Sequence, residues 1–237
     1  MPEVDISVVV PALNEEKRIA RCLESIKAQK FSGSYELIVC DGNSEDKTRE
    51  IAAKLADKVV VEKKRSIAAE RQGGAKEAIG EVIAFTDADA VVPENWLEEI
   101  KKEFGKEKGI AMVYGNVFLL DSGGFGKKVS YFLMPKFLSA FVFFGLHNPI
   151  GSNMAVKREA FLKVGGFDTS IVTCEDLDLA KKIKGIGKVK YAGGCKVFVS
   201  ARRIKKMGYP SYVFFHLSNA VKFFLTGKGK NEYEPVR

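Results

Sequence analysis

The feature that most constrains the fold is an alternation, over the first 120 residues, of short runs rich in β-branched residues with amphipathic stretches. Strands and helices that follow each other in turn are typical of an α/β domain whose sheet is largely parallel. The pattern predicts strands over residues 6–10, 35–40, 58–61, 82–86 and 111–119. It predicts helices over residues 15–29, 66–78 and 93–104, with a further helix starting at Ser44. Asn14 is the predicted N-cap of the first helix.

Composition supports a folded domain, and charge divides it into two unlike halves. With 237 residues, 46% of them hydrophobic, the chain suits one large domain with a sizeable core. Residues 1–120 carry 18 basic and 22 acidic side chains, whereas residues 121–237 carry 20 and 8, so the net charge is +8. The second half also holds 13 of the 17 phenylalanines. A basic, aromatic half predicts an anionic partner.

The arrangement of the phenylalanines favours a membrane surface over nucleic acid as that partner. They come in pairs, such as 143–144 and 214–215, and are not interleaved with lysine and arginine as on a single-strand-binding face. We therefore expect no nucleic-acid binding.

The cysteines and the N-terminus predict the compartment. The four cysteines, at positions 22, 40, 174 and 195, are far apart and form no CxxC pair. This spacing favours neither a zinc site nor a disulfide framework, and it predicts buried thiols in a reducing compartment. The acidic N-terminus leads directly into an apolar strand, which predicts that there is no signal peptide. We expect a cytoplasmic protein, peripheral on the cytosolic face of a membrane.

Two apolar segments in the second half have two alternative explanations. Residues 129–146 are interrupted by Pro135 and Lys136, which disfavours a bilayer-spanning helix. Residues 212–225 predict an amphipathic helix whose apolar stripe is formed by Val213, Leu217, Val221 and Phe224. Such a helix can lie in a membrane interface or pack on the sheet.

Polar side chains follow three of the predicted strands. They occupy residues 11–15, 41–44 and 87–89. Because ligands of open parallel sheets bind at the carboxyl ends of the strands, we expect these groups to share one rim. An aspartate pair suits Mg²⁺ or Mn²⁺, and such a cation would bind the phosphates of a nucleotide. Taken singly, each segment also fits a simple turn or helix cap.

Taken together, these segments resemble a known family. The set comprises VVVPALNEE at 8–16, DGNS at 41–44, Arg71 with Gly74, AFTDAD at 84–89, GGFD at 165–168 and Glu175 with Asp176. It resembles the inverting family-2 glycosyltransferases of the GT-A fold, over residues 4–205. The resemblance implies a Rossmann-like, mostly parallel sheet flanked by helices. It implies a GT-A domain over 1–205, with a nucleotide-sugar half at 1–120 and an acceptor half at 121–205. Residues 206–237 would add an amphipathic helix and a basic tail.

The resemblance implies a donor site for a GDP- or UDP-linked sugar. In that family the loop after the first strand and the aspartate after the second hold the base and ribose. Arg71 matches an arginine that reaches toward the nucleotide or its phosphates, and Arg65 is a weaker match. Asp87 would face the ribose, and Asp89 would ligate Mn²⁺ or Mg²⁺ across the diphosphate. The full implied set is Pro11, Ala12, Asn14, Glu15, Asp41, Arg65, Arg71, Asp87 and Asp89.

The resemblance also implies an acceptor site. Asp176 matches the catalytic aspartate, which would take the proton of an acceptor hydroxyl; with a lipid phosphate as acceptor no strong base is needed, and Asp176 would orient it. Arg202 and Arg203 would clamp phosphate. The remaining implied acceptor residues are Gly151, Ser152, Asn153 and Glu175.

The resulting hypothesis is a metal-dependent hexosyltransferase. It would move a sugar from GDP-mannose or a UDP-hexose to a membrane-associated lipid such as polyprenyl phosphate or a glycolipid. The alternative is transfer to a soluble glycan or small molecule, with the apolar helices used for packing or homodimerisation. A non-catalytic nucleotide-sugar-binding module is disfavoured because both carboxylates of the 87–89 motif and Asp176 are present.

Overall fold

The computed structural model describes residues 4–227 and 229–230. In this part of the chain, one sheet is built from the strands β1 (Ile6–Ala12), β2 (Tyr35–Asp41), β3 (Lys58–Val61), β4 (Val82–Phe85), β5 (Ala90–Val91), β6 (Ile110–Leu119), β7 (Met154–Lys157) and β8 (Lys188–Val199). The helices are α1 (Ile19–Lys27), α2 (Thr48–Leu55), α3 (Ile67–Lys76), α4 (Trp96–Gly105), α5 (Gly124–Phe143), α6 (Arg158–Lys163), α7 (Glu175–Lys184), α8 (Arg202–Met207) and α9 (Tyr209–Thr226).

The strand order brings the polar loops together at the carboxyl ends of neighbouring strands. The order is β3-β2-β1-β4-β7-β6-β8-β5, with β1 to β4 parallel to one another as predicted. The other half is mixed: β7 runs antiparallel to β4 and β6, β6 is parallel to β8, and β5 is antiparallel to β8. Ala12 pairs with Asp41 at the ends of β1 and β2, and Val9 pairs with Phe85 in β4. The loops after these three strands therefore meet at one rim.

Two hydrophobic cores cover the two faces of the sheet. Val8 and Val10 of β1 point into a core closed by α1, α2 and α4, whereas Val9 points into a core closed by α3, α5, α6 and α7. Alternate residues of a strand face opposite sides, so a central strand that is covered on both faces reads as a continuous apolar run. This burial fixes the strand ends that carry the polar loops.

The predicted strands of the first half are confirmed to within two residues at each end, but three helix starts are wrong. α1 begins at Ile19 and not at residue 15, α2 begins at Thr48 and not at Ser44, and α4 begins at Trp96 and not at residue 93. Asn14 does not cap α1. It adopts a left-handed conformation (φ 55°), and its Oδ1 accepts a hydrogen bond from the backbone N–H of Glu45 at 2.9 Å.

The two apolar segments form α5 and α9, and the predicted stripe of α9 is not a buried face. Val213, Leu217 and Val221 are exposed, whereas Asn219 and Phe223 are buried against the domain. α5 continues through Pro135. No helix in the described ranges combines the length and apolarity that crossing a bilayer requires.

The predicted domain boundaries stay a prediction, with two observations on them. The division at residue 205 falls inside α8. Of the predicted C-terminal tail, residues 228 and 231–237 lie outside the described residues.

Candidate active site

Hydrogen bonds join the loops after β1 and β2. The backbone N–H of Asn14 donates to Ser44 Oγ at 2.9 Å, and that of Glu15 donates to Thr48 Oγ1 at 2.7 Å. Asn43 also has a left-handed backbone (φ 62°), a conformation that asparagine tolerates better than most residues. Pro11 and Ala12 are buried at the end of β1. The two predicted donor loops thus form one hydrogen-bonded wall.

Asp41 carries a buried carboxylate with one unused oxygen. Its Oδ2 accepts hydrogen bonds from Arg49 Nη2 at 2.8 Å, Arg49 Nε at 3.0 Å and the backbone N–H of Ser44 at 3.1 Å. No described residue donates to Oδ1. Leaving a buried acceptor without a donor costs about 1–3 kcal/mol. This oxygen is therefore suited to a donor group of a ligand, such as an N–H of a base.

Two arginines at this wall differ from the sequence prediction. Arg49 was not predicted as a site residue, because a single arginine on a short amphipathic helix is typical of a solvent-exposed charge. Arg65, predicted as a nucleotide ligand, donates to the carbonyl of Asn43 at 3.0 Å and pairs with Glu45. Arg65 therefore braces the loop after β2 and lies at its outer edge.

The aspartates after β4 have different partners. Asp87 Oδ1 accepts from Arg71 Nη2 at 2.8 Å, and Asp89 Oδ2 lies 3.0 Å from Arg202 Nε. Burial raises the pKa of Asp89 to about 6; Arg202 opposes the shift, and the carboxylates of Asp87 and Glu15 add to it. Burial therefore makes the charged form of Asp89 costly even with the guanidinium of Arg202 beside it.

Arg71 joins the donor loops to the acceptor side. Its guanidinium is buried, with Nη2 on Asp87 and Nη1 2.5 Å from Glu175 Oε1. Gly151 lies against it, because a Cβ at that position would stand 2.2 Å from Nη1. Both terminal nitrogens of Arg71 are thus engaged by carboxylates, so the arginine predicted to reach toward the nucleotide holds the two halves of the site together.

Asp176 and Glu175 start α7, directly after a strained residue. Cys174 has a left-handed backbone (φ 68°), a conformation that is uncommon for residues other than glycine, asparagine and aspartate. Asp176 Oδ2 accepts from the backbone N–H of Gly151 at 3.0 Å, and Oδ1 accepts from that of Leu177 at 2.8 Å. Strain of this kind is found where a site fixes the direction of a side chain.

Burial governs the protonation of this carboxylate pair. It raises the pKa of Asp176, and it raises that of Glu175 to about 7 with a further contribution from the Asp176 charge. The guanidinium of Arg71 opposes both shifts. A carboxylate whose pKa lies above its usual range is a better proton acceptor near neutral pH.

The turn at residues 165–168 is attached to the helix that carries Arg71. Gly165 and Gly166 both have left-handed φ values, 79° and 68°. The backbone N–H of Phe167 donates to Gln72 Oε1 at 2.8 Å, which attaches the turn to the residue next to Arg71.

Asn153, predicted as an acceptor residue, makes its hydrogen bonds inside the domain. Asn153 is buried, and its amide donates to the carbonyls of Asn116 at 2.8 Å and Cys195 at 3.1 Å. Its Oδ1 accepts from the indole N–H of Trp96 at 3.0 Å. These bonds tie β6, β8 and α4 together. Gly151 and Ser152 are buried as well, and Gly151 contacts Asp176 and Arg71.

Arg202 lies on the donor side and not with the acceptor residues as predicted. Its guanidinium pairs with both oxygens of Glu15, at 2.9 Å from Oε2, and with Asp89. Arg203 is close enough to Asp89 for its charge to lower that aspartate's pKa.

Within the described residues, no three His, Cys, Asp or Glu side chains group as a complete metal-ligand set. A cation held by one or two carboxylates together with substrate phosphates does not need such a set. Asp87 and Asp89 fit that arrangement, because they are two carboxylates of one loop that are close enough for the charge of Asp87 to raise the pKa of Asp89.

Comparison with known proteins identifies the family. The family model described as glycosyl transferase family 2 matches residues 7–165, more than half of the chain. The chain belongs to glycosyl transferase family 2. This confirms the family that the motifs indicated.

Two curated relatives act on lipids according to their names. A glucosyl-dolichyl phosphate glucuronosyltransferase of Haloferax volcanii is 30% identical over 179 residues, which cover 70% of this chain and 56% of the relative. A beta-monoglucosyldiacylglycerol synthase of Trichormus variabilis is 30% identical over 195 residues, 75% of this chain and 41% of the relative. The chain thus spans about half the length of these relatives.

A solved structure confirms the predicted fold. The mannosyltransferase of Pyrobaculum calidifontis in complex with GDP-Man and Mn²⁺ superposes with a TM-score of 0.67 at 21% identity, over 97% of this chain and 68% of that one. The family-2 chain therefore has the GT-A fold, with a mixed sheet.

Proposed function

We propose that this family-2 chain transfers a hexose from a nucleoside diphosphate sugar to a membrane-associated lipid, with inversion at the anomeric carbon. The observation that carries the proposal is Arg71, which holds a donor aspartate (Asp87) and an acceptor-side glutamate (Glu175) on one guanidinium. A sugar placed beside Arg71 has Asp87 and Asp89, the carboxylates at the nucleotide-sugar side, on one side and Asp176 on the other.

On the donor side, the base and ribose lie along the wall formed by the loops after β1 and β2. The unused Oδ1 of Asp41 accepts a hydrogen bond from the nucleoside. Asp89, with Asp87 beside it, holds Mn²⁺ or Mg²⁺. When bound, the cation stabilises the negative charge that grows on the leaving diphosphate. The Pyrobaculum enzyme's complex with GDP-Man and Mn²⁺ supports this assignment.

On the acceptor side, Asp176 receives the proton of an attacking hydroxyl. The backbone N–H groups of Gly151 and Leu177 fix the direction of its carboxylate. With a lipid phosphate as acceptor, the attacking oxygen is already ionised and Asp176 orients it. The dolichyl phosphate and diacylglycerol in the names of the two relatives support a lipid acceptor.

We propose that α5 and α9 present the docking surface for an anionic bilayer. Both helices expose large apolar side chains and contact each other through Phe141 and Phe224, whose ring centroids are 5.9 Å apart. The most exposed members are Phe132, Phe143, Phe144, Phe214 and Leu225. Lys136 lies 3.7 Å above the ring of Phe132, and α8 adds Lys205 and Lys206 next to α9. A basic, aromatic surface of this kind suits anionic headgroups.

A transfer assay tests the reaction. The chain is incubated with MnCl₂ and UDP-glucose, UDP-N-acetylglucosamine or GDP-mannose, and with vesicles that contain polyprenyl phosphate or a diacylglycerol glycolipid. Release of UDP or GDP is measured together with labelled lipid, and the anomeric configuration of the product is read by NMR.

Variants assign the roles in this assay. Asp89→Asn should abolish transfer. Asp176→Asn should lower transfer to a hydroxyl acceptor at least 100-fold, as loss of a general base does, and should affect a phosphate acceptor much less. Glu107→Gln is the matched control, because Glu107 is exposed and pairs only with Lys188. Full activity of Asp89→Asn contradicts the proposed donor site.

Flotation with vesicles tests the docking surface. Binding to anionic vesicles should weaken with salt and with the double substitution Phe143→Ser and Phe144→Ser. Ile79→Ser is the control, because Ile79 is 56% exposed and lies in the loop before β4. Absence of vesicle binding, or concentration-dependent dimerisation that the phenylalanine substitutions abolish, favours the soluble-acceptor alternative, in which these helices serve homodimerisation.

A further inference from the structure

Arg202 is the one guanidinium among the described contacts that spans Glu15 and Asp89, the two carboxylates of the donor side. Nε lies 3.0 Å from Asp89 Oδ2, and Nη1 lies 2.9 Å from Glu15 Oε2. The Arg202 side chain is 14% exposed, Asp89 12% and Glu15 8%, so the contacts are largely shielded from water. The positive charge of Arg202 thus lies between two carboxylates that come from different loops, and Arg18 adds a longer contact of 3.6 Å with Glu15 Oε2.

The backbone that carries Arg202 is attached to the site. The backbone N–H of Ser200 donates to the carbonyl of Asp89 at 3.2 Å, and that of Ala201 donates to Asp121 Oδ1 at 2.6 Å. β5 and β8 pair next to this point, with Ala90 opposite Val199. These contacts hold the backbone on the N-terminal side of Arg202, so rotation of its long side chain is the simplest way for it to change partners.

A divalent cation held by Asp89 would lie beside the guanidinium of Arg202. Arg202 Nε lies 3.0 Å from Asp89 Oδ2 as an ion pair without a well-aligned hydrogen bond, and its positive charge would repel a cation placed a few ångströms away. A nucleoside diphosphate removes this conflict because its oxygens offer the guanidinium a new bidentate partner and offer the cation further ligands.

We propose that Arg202 is an exchangeable counter-ion, which neutralises Glu15 and Asp89 when no donor is bound and turns to the diphosphate when donor and cation enter together. This assignment rests on the proposed function, because it takes the donor and its cation to bind at Glu15 and Asp89. The site then has low affinity for the free cation and high affinity for the cation–nucleotide complex.

Titration of the full chain with MnCl₂, followed by the EPR signal of free Mn²⁺, tests this arrangement without any turnover. Arg202→Gln should bind Mn²⁺ alone at least about tenfold more tightly than the unmodified chain, since one repelling charge is removed. The same variant should bind UDP or GDP in the presence of Mn²⁺ less tightly. The coupling between cation and nucleotide should therefore decrease.

Two further variants control the measurement. Lys102→Gln removes one positive charge from α4, where the side chain is 58% exposed and pairs with Glu99, and it should leave both affinities unchanged. Arg202→Lys keeps the charge but cannot span both carboxylates, and it should shift both affinities in the same directions by a smaller factor. If Arg202→Gln does not fold, the affinities of Arg202→Lys decide the outcome.

The outcomes separate the two proposals. If Mn²⁺ and the nucleotides bind but the Arg202 variants hold Mn²⁺ no more tightly than the unmodified chain, Arg202 is a fixed structural ion pair and the counter-ion assignment is wrong. If neither UDP nor GDP binds to any form with Mn²⁺, the proposed donor site fails, and the assignment of Arg202 fails with it.

Discussion

Replacing Arg71 by methionine should destabilise the fold far more than a surface charge change does. Arg71 is 4% exposed at its side chain and neutralises Glu175, which is 9% exposed, and Asp87, which is 32% exposed. Removing one partner of a buried ion pair costs about 3–5 kcal/mol because the other charge stays buried. Asp87 can be partly rehydrated, so most of the loss arises at Glu175. We expect a loss of about 3–4 kcal/mol at pH 7.

Urea unfolding followed by tryptophan fluorescence measures this loss. Trp96 is the only tryptophan of the chain and is buried, so its emission reports on the folded core. Lys58→Met is the matched control: Lys58 pairs with Glu77 at 3.0 Å on the surface, and such pairs contribute about 0–1 kcal/mol. The penalty of Arg71→Met should also grow from pH 5 to pH 8, because the unpaired Glu175 is charged only at the higher pH.

The double variant Arg71→Met with Glu175→Gln completes the cycle. It should recover part of the loss, since no unpaired charge then remains at position 175. A loss for Arg71→Met no larger than that for Lys58→Met would refute the reasoning, as would a double variant whose loss equals the sum of the single losses.

Three further outcomes follow from the site. Gly151→Ala places a methyl group against the pinned guanidinium of Arg71 and should cost about 1–3 kcal/mol in thermal unfolding, whereas Gly193→Ala, with its nearest atom at 3.5 Å, should cost little. Because burial raises the pKa of Glu175 from 4.5 to about 7, the folded chain binds more protons than the unfolded chain between these values. The free energy of unfolding should therefore fall as pH rises from 4.5 to 7, by up to about 1.4 kcal/mol per pH unit, and Glu175→Gln should flatten this slope in urea titrations. Asn153→Ala should cost about 1–3 kcal/mol and leave the KM for the acceptor unchanged; a raised KM at unchanged stability would support its predicted acceptor role.

Features encoded by local pattern were predictable from the sequence. β1, β2 and β4 are apolar runs bounded by turn residues and are buried on both faces, whereas β3 lies at the sheet edge and is only partly buried. β8 was not predicted because Gly193 and Gly194 and several lysines break its alternation; its pairing with β6 contains register shifts. Asn14 shows a second limit, since asparagine serves both as a helix cap and as a left-handed residue.

The partners of the charged residues were not predictable. Arg71 and Glu175 are 104 positions apart, and Arg202 and Glu15 are 187 positions apart. The motifs indicated which residues gather at the rim, but the pairing of each arginine depends on where the sheet brings it. This is why Arg202 was expected at the acceptor and Arg71 at the phosphates.

The strand order also has a consequence for biosynthesis. β4 and β5 lie in the first 120 residues, but β4 needs β7 on its open edge and β5 needs β8. A nascent chain that ends near residue 120 therefore carries an unpaired sheet edge, a known template for aggregation. At 5–20 residues per second, the ribosome needs roughly 4–16 s more to reach the end of β8. During that interval residues 1–120 would expose this edge, and slower translation between β5 and β8 would lengthen the exposure.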